Sequence, residues 1–287
     1  MTRRVFVDTA WNRKPHACYD PLTDRFFEAR KLTDLKDYDE IYLDSLLFPG
    51  IWSELRELIA EGRQVYYFTR PWRWRELRER FKDDLRERFK TREVKKTDYG
   101  DSYVLWRVYE TGISMGNVHK WFKPITIVDV ELRPLLMKEE LISRAVDKLD
   151  TAIDLGVKAD EVEEVKELLR RVRREIVDRG FKLMPWLSRI SGELGLERDD
   201  LNALTGLVGL MTYMKQASYH KALRYLGLYR ARNKEIKRCS GKARRYLMMV
   251  AMSLVSREGR WPPRFRDLRA VLRRLIKTLK ELEPAGV

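Results

Sequence analysis

Cysteine and histidine are both scarce in this chain. Its 287 residues include two cysteines, Cys18 and Cys239, and three histidines. Two isolated cysteines cannot form a disulfide framework or a CxxC metal site. His16, His119 and His220 lack the spacing of zinc ligands. The sequence therefore excludes a disulfide scaffold and predicts no zinc site, and its few thiols favour a reducing, cytoplasmic compartment.

Long hydrophobic runs and nucleotide-binding loops are also missing. No stretch reaches the ~20 consecutive apolar residues that a membrane-spanning helix requires. The first residues, MTRRVFVDT, predict a strand and not a signal peptide. Neither GxxxxGKS/T nor GxGxxG occurs, which argues against ATP or dinucleotide use. We expect a soluble protein that does not partner with a membrane.

Positive charge is present in excess. The 59 Lys and Arg outnumber the 44 Asp and Glu, so the net charge is +15 and the pI is near 9.7. This charge attracts polyanions, and we expect nucleic acid, although ribosome-associated proteins and binders of anionic membranes share the composition. A charged fraction of 36% with few Asn and Gln is typical of thermophile proteins.

The first 112 residues predict three antiparallel strands followed by alternating strands and helices. The predicted strands are 3–9, 15–20, 25–31, 39–45 and 64–71, and the predicted helices are 49–62, 72–90 and one beginning near Thr97. This order, βββαβαα, is that of the RNase H-like fold, in which the first strand is central. We predict an α/β domain of this fold at 1–112.

The remainder predicts helices only. Residues 113–131 are interpreted as a linker, because glycine, proline and the lack of a periodic pattern mark 112–124. Residues 132–182 predict a helical hairpin or short coiled coil, within one chain or between two chains of a homodimer. Residues 183–287 predict a small all-α domain. Its GLVG segment, 206–209, is interpreted as tight helix packing, and the alternative is a helix-hairpin-helix turn that presents backbone amides to a phosphate.

Four aspartates occupy positions that the predicted fold brings together. Asp8 ends the first strand and Asp44 the fourth, and these strands are neighbours in an RNase H-like sheet. Asp98 and Asp101 share one face at the start of a helix. Clustered carboxylates need a neutralising cation, and oxygen ligands suit Mg²⁺ or Mn²⁺, two of which support phosphodiester chemistry. Alternatively, each acid caps a helix, as Asp98 would, or faces solvent.

Two basic segments are candidate nucleic-acid contacts. In the first, cations alternate with tryptophans, which suits phosphate binding and base stacking; a solvated helix with core tryptophans explains it about as well. The second is the densest basic run of the chain. The residues are Arg70, Arg73 and Arg75 in the first segment, and Arg230, Arg232, Lys234, Lys237, Arg238, Lys242, Arg244 and Arg245 in the second.

Three segments near the amino terminus resemble a known family. VFVDTAW, IYLDS and KKTDYGDSYVLWRV are similar to motifs of the DEDD-type insertion-sequence transposases of the IS-one-ten class, relatives of the pilin-gene-inverting recombinases. The KTD-x-x-DA signature of that family is met by Lys96, Thr97, Asp98 and Asp101, with Ser102 where alanine is usual. The C-terminal half resembles the family more weakly.

The resemblance implies a RuvC-like domain and a helical C-terminal domain with a nucleophilic serine. Asp8 falls on the family's first aspartate, and Asp44 stands where the family normally has glutamate. The insertion that carries the serine is replaced here by YRARNKEI. Ser240 is the only serine nearby, and its alternative role is to cap the helix predicted at 241–257.

Residues and resemblance together predict a transposase or site-specific recombinase that acts on DNA phosphodiesters with Mg²⁺ or Mn²⁺, guided by a structured RNA. The missing serine insertion leaves a second hypothesis, a non-catalytic protein derived from such a transposase and associated with RNA or DNA. A free-standing RuvC-like nuclease lies between the two, since metal ions alone support hydrolysis.

Overall fold

A computed structural model describes residues 2–10, 14–45, 50–90, 97–152, 159–214, 218–229 and 239–282. The chain forms two compact units, Met1–Val130 and Glu131–Val287, which we call unit 1 and unit 2. In the described residues, unit 1 is mixed α/β and unit 2 is helical, as predicted. No helix in these parts of the chain is both long and apolar enough to cross a membrane.

Unit 1 is built on a mixed sheet. Its elements are β1 (Arg4–Asp8), β2 (His16–Asp20), β3 (Arg25–Ala29), β4 (Glu40–Leu43), α1 (Ile51–Ala60), β5 (Gln64–Phe68), α2 (Trp74–Arg80), α3 (Lys82–Phe89), α4 (Asp98–Ser114) and β6 (Phe122–Pro124). The strand order is β3-β2-β1-β4-β5-β6. β1, β4 and β5 are mutually parallel, and the outer pairings are antiparallel. The carboxyl ends of β1, β4 and β5 therefore share one edge of the sheet.

Strands β1 to β5 lie within their predicted ranges, whereas β6 was not predicted. The linker prediction for 113–131 was wrong at 122–124, which pairs antiparallel with β5 and buries Phe122. A strand of three residues is too short to show an alternating pattern, and its partner is distant in the sequence. The single helix predicted at 72–90 is divided at Phe81 into α2 and α3.

Aromatic packing holds α4 against the sheet. The ring of Phe6 on β1 stacks on Tyr42 of β4 with centroids 4.9 Å apart. Val104, Leu105 and Val108 of α4 are buried in the same cluster. Because aromatic side chains bury large areas, this cluster fixes the position of α4 beside the strand that ends at Asp8.

Unit 2 consists of helices in the part of the chain that the structure describes. They are α5 (Ile127–Ala152), α6 (Ala159–Leu183), α7 (Leu187–Leu194), α8 (Leu201–Tyr213), α9 (Tyr219–Tyr225), α10 (Gly241–Arg257) and α11 (Phe265–Leu282). α5 and α6 are antiparallel, as three ion pairs show: Glu131–Arg179 at 2.8 Å, Glu139–Arg173 at 2.9 Å and Asp150–Lys166 at 3.0 Å. Within the predicted range 132–182, α5 and α6 thus pair with each other in one chain.

α8 and α10 approach closely at the glycines of the GLVG segment. A Cβ atom built on Gly209 would lie 2.5 Å from the ring of Tyr246, whose side chain is almost fully buried. The Tyr246 hydroxyl donates a hydrogen bond to the carbonyl oxygen of Leu136 at 3.2 Å, which holds the ring in place. The structure therefore agrees with tight helix packing at this segment.

We expect Gly209→Ala to lower the free energy of unfolding by about 1–3 kcal/mol, because the added methyl overlaps the Tyr246 ring. Urea unfolding followed by circular dichroism measures the loss. Gly192→Ala in α7 is the matched control, since a Cβ there meets no atom within 4 Å; helix propensity should make that variant up to about 1 kcal/mol more stable. Equal effects of the two substitutions would contradict the packing argument.

Candidate functional site

Parallel pairing of β1 and β4 places Asp8 beside Asp44. Val7 is in register with Leu43, so the two aspartates follow paired positions, and the amide of Asp44 donates to the carbonyl oxygen of Val7 at 3.0 Å. After burial, the charge of Asp44 is the largest cause of the raised pKa of Asp8, as expected for acids at neighbouring strand ends.

Thr9 and Ser45 orient the Asp44 carboxylate. Oδ1 of Asp44 accepts hydrogen bonds from the Thr9 amide at 2.8 Å and from the Thr9 hydroxyl at 2.6 Å. The Thr9 and Ser45 hydroxyl oxygens lie 3.1 Å apart. Both residues directly follow an acid at a strand end, and that position was the only signal in the sequence for their role.

The N-terminus of α4 carries the other two acids. Thr97 is the N-cap, and its hydroxyl accepts a hydrogen bond from the Gly100 amide at 3.0 Å. A Cβ atom on Gly100 would lie 2.8 Å from that hydroxyl, so glycine leaves room for the cap. The alternative in which Asp98 caps the helix is wrong, because Asp98 is the exposed first residue of α4 and Thr97 caps it. Asp101, one turn later, is 3% exposed.

The other three predicted acids all act electrostatically on Asp8. Burial, followed by the charges of Asp44, Asp101 and Asp98 in that order, raises the pKa of Asp8 to about 8. Burial also raises the pKa of Asp44; hydrogen bonds from Thr9 oppose the increase, and the charge of Asp101 adds to it. The fold thus gathers carboxylates from β1, β4 and α4.

Arg78 of α2 is a fifth charged residue of this site, and the sequence analysis missed it. Its Nε donates to Oδ1 of Asp101 at 2.6 Å, and its Nη2 donates to Oδ2 at 2.5 Å. Nothing in the sequence distinguishes Arg78 from the other arginines of this segment. The contact depends on how α2 lies against α4, which is a property of the tertiary structure.

The donor chemistry of the site fits a hard divalent cation. Carboxylate oxygens and surplus negative charge are what Mg²⁺ and Mn²⁺ prefer. In the described residues, however, no group of three or more His, Cys, Asp or Glu side chains is arranged so as to hold a metal ion. Arg78 engages both oxygens of Asp101. To bind Asp101, a metal ion would therefore have to displace Arg78 from this carboxylate.

The first basic segment follows the end of β5, at the sheet edge where β1 and β4 also end. The guanidinium groups of Arg70 and Arg73 lie 4.7 and 5.3 Å from the ring centroid of Trp121. Arg73 also forms an ion pair with Glu76. Arg75 is exposed, and Trp72 is 56% exposed. An exposed indole among arginines is suited to stacking on a base.

The second basic segment is described only in part. Five of its predicted residues lie outside the described residues: Arg230, Arg232, Lys234, Lys237 and Arg238. Lys242 lies 3.8 Å from Glu140. The Arg244 guanidinium is 5.0 Å from the ring centroid of Phe265, whose side chain is half-exposed. Lys242 and Arg244 are thus at the surface of unit 2.

Arg245 has a structural partner. Its Nη1 donates to Oε2 of Glu139 at 2.7 Å, and Glu139 is 0% exposed. Arg173 of α6 donates to the same carboxylate at 2.9 Å. A buried carboxylate is costly unless it is paired, so these two arginines hold a charge in the interior of unit 2. Arg245 was predicted as a nucleic-acid contact, and the structure instead places its guanidinium on Glu139.

Ser240 is the N-cap of α10. Its hydroxyl accepts a hydrogen bond from the Ala243 amide at 3.2 Å. This is the capping role considered as the alternative to nucleophilic chemistry. Lys96 of the family signature lies outside the described residues, and the Ser102 hydroxyl is buried and donates to the Tyr99 carbonyl oxygen at 2.9 Å.

A scan against protein-family models finds no match for this chain, and a search of curated proteins finds none either. Function is therefore inferred from the acidic cluster, which comprises Asp8, Asp44, Asp98 and Asp101, and from the basic segment that follows β5.

We expect Asp8→Asn to stabilise the ion-free protein at pH 8 by several kcal/mol, because burial and the neighbouring aspartates disfavour the charged form of Asp8. The folded-state pKa of Asp8 is above its unfolded value, so its contribution to stability is complete below about pH 4 and is lost as the pH rises toward 8. Thermal unfolding between pH 4 and pH 9 measures the effect. Asp83→Asn is the control, because the Asp83 side chain is 95% exposed. A parallel pH profile for Asp8→Asn and wild type would contradict the assignment.

We expect Arg245→Met to lower the free energy of unfolding by about 1–3 kcal/mol, because it removes hydrogen bonds to a buried charge. Arg244→Met removes the same charge without affecting Glu139 and should change stability by about 0.5 kcal/mol or less. Chemical unfolding of both variants makes the comparison. If the two variants are equally stable, Arg245 has no structural role in this unit.

Proposed function

We propose that this chain is a metal-dependent transposase or site-specific recombinase that acts on DNA phosphodiesters. The observation that carries the proposal is the gathering of Asp8, Asp44, Asp98 and Asp101 from two strand ends and one helix terminus, where burial and then the charges of the other three acids raise the pKa of Asp8. Structural ion-pair networks also perturb pKa values. Bringing like charges together is costly, however, and the cation that the proposal requires would offset this cost.

The topology of unit 1 supports an RNase H-like fold. Three antiparallel strands lead into parallel β4 and β5, and β1 lies between β2 and β4. This is the order on which the fold was predicted. β6 adds an antiparallel strand beyond β5 and leaves the edge that carries the acids unchanged.

The acids of the site would hold Mg²⁺ or Mn²⁺. Such ions, when bound, activate an attacking oxygen and stabilise the leaving oxygen at a phosphodiester. The protein's own contribution is positional: Thr9 holds one oxygen of Asp44, and the Thr97 cap sets the start of α4 and hence the placement of Asp101.

Charge and exposed aromatic groups support nucleic acid as the partner. The net charge is +15, and Trp72, Arg70 and Arg75 lie near the edge of the sheet where the acidic strands end. A basic groove with stacking groups binds single strands of DNA or of a structured RNA. A guide RNA, a cytoplasmic location and a homodimer through the α5–α6 hairpin remain part of this proposal.

We expect wild-type protein to cut branched or duplex DNA with Mg²⁺ or Mn²⁺ and Asp44→Asn to reduce cutting by at least about 100-fold, because a ligand of the cation is lost. Gel assays of cleavage measure this. Asp83→Asn, on the exposed face of α3, should cut like wild type. DNA binding should persist in Asp44→Asn and weaken as salt is added.

A non-catalytic role is the second candidate, and Ser240 favours it because its hydroxyl caps α10. In this case the protein binds DNA or RNA with the same salt dependence, and neither wild type nor Asp44→Asn cuts. Sequencing the RNA that copurifies with the protein separates the candidates further. A guide-like RNA supports recombination, and a ribosomal RNA supports a recruited binding protein.

A further inference from the structure

Arg78 binds Asp101, which is the more buried of the two acids that α4 contributes to the site. The Arg78 side chain is 23% exposed, and that of Asp101 is 5% exposed. Both Asp101 oxygens accept from the guanidinium, at 2.6 and 2.5 Å. Paired bonds of this kind are stronger and more directional than a single contact. The Arg78 guanidinium also lies 5.6 Å from the ring centroid of Trp74, which restricts its position.

The charge of Arg78 acts on the whole cluster. Its guanidinium is hydrogen-bonded to both carboxylate oxygens of Asp101 on α4, and Asp8 at the end of β1 interacts with it electrostatically. Arg78 is therefore a positive charge that acts on acids of both β1 and α4. In the ion-free protein it offsets part of the repulsion among them.

A divalent cation and Arg78 compete for the same atoms. Mg²⁺ and Mn²⁺ bind carboxylates through oxygen, and both oxygens of Asp101 are engaged by the guanidinium. A cation that takes Asp101 as a ligand has to break at least one of these bonds. It also enters a site that already contains one positive charge.

We propose that Arg78 is the resident counter-ion of the acidic site and that it leaves Asp101 when a divalent cation binds. This inference depends on the proposed function, because it assumes that the acids bind metal. Arg78 is a positioning residue in this role: it holds Asp101 in the ion-free protein and weakens the affinity of the site for the cation.

Calorimetric titration of the full-length protein with Mn²⁺ tests this inference. We expect Arg78→Met to bind Mn²⁺ about 10-fold to 100-fold more tightly than wild type, because the competing charge-assisted hydrogen bonds are gone. Arg78→Lys keeps the charge but loses the paired geometry, so its affinity should lie between the two. Arg80→Met is the matched control on the exposed part of α2 and should bind like wild type.

Thermal unfolding gives a second measurement that does not depend on activity. Without metal, Arg78→Met should melt at a lower temperature than wild type, because Asp101 loses its partner. Saturating Mn²⁺ should raise the melting temperature of Arg78→Met by more than that of wild type. A residue that only supports the fold would lower stability without increasing the response to Mn²⁺.

The outcomes separate this inference from the proposed function. Equal Mn²⁺ affinities of wild type and Arg78→Met would show that Arg78 is not a competing counter-ion, and so would weaker binding by Arg78→Met with an unchanged circular dichroism spectrum. In either case the proposed metal site still stands. If none of the proteins binds Mn²⁺, both proposals are wrong. Should Arg78→Met not fold, Arg78→Lys decides, and an affinity equal to that of wild type overturns the inference.

Discussion

The repulsion among carboxylates at one edge of a sheet is the constraint on which unit 1 depends. Asp8 ends β1 and is partly buried, and Asp44 directly follows the adjacent parallel strand β4 and is buried. The two hydrogen bonds from Thr9 to Asp44 and the paired hydrogen bonds from Arg78 to Asp101 reduce the same electrostatic cost. A core that tolerates this arrangement needs strong packing elsewhere, and the aromatic cluster between the sheet and α4 supplies it.

Unit 2 also contains a buried carboxylate, and its charge is compensated differently. Glu139 is fully buried, and two arginines from different helices bind it, so one negative charge is matched by more than one positive charge. In the described part of unit 1, Arg78 is hydrogen-bonded to Asp101, and Asp8 and Asp44 lie at neighbouring strand ends. Unit 2 therefore gives its buried carboxylate two direct partners, whereas the site in unit 1 brings several carboxylates together, an arrangement that the proposed cation would stabilise.

Much of the architecture could be predicted from local patterns. Alternating β-branched and aromatic residues located β1 to β5, and apolar residues at helical spacing located α4 and most helices of unit 2. β6 was not predicted, because three residues are too few to show an alternating pattern and its pairing with β5 is long-range. The division of 72–90 at Phe81 was not predicted either, because the charge pattern continues through it.

The candidate site divides in the same way. The residue types and positions of Asp8, Asp44, Asp98 and Asp101 were readable, because strand ends and helix starts are local features. The sequence did not show which arginines pair with buried carboxylates, because nothing distinguishes Arg78 or Arg245 from neighbouring arginines. Only tertiary packing brings Arg78 to Asp101 and Arg245 to Glu139. The sequence by itself determined the composition, the charge excess and the order of elements. The tertiary structure alone decided the pairing of charges, since an ion pair depends on distances between side chains that are far apart in the chain.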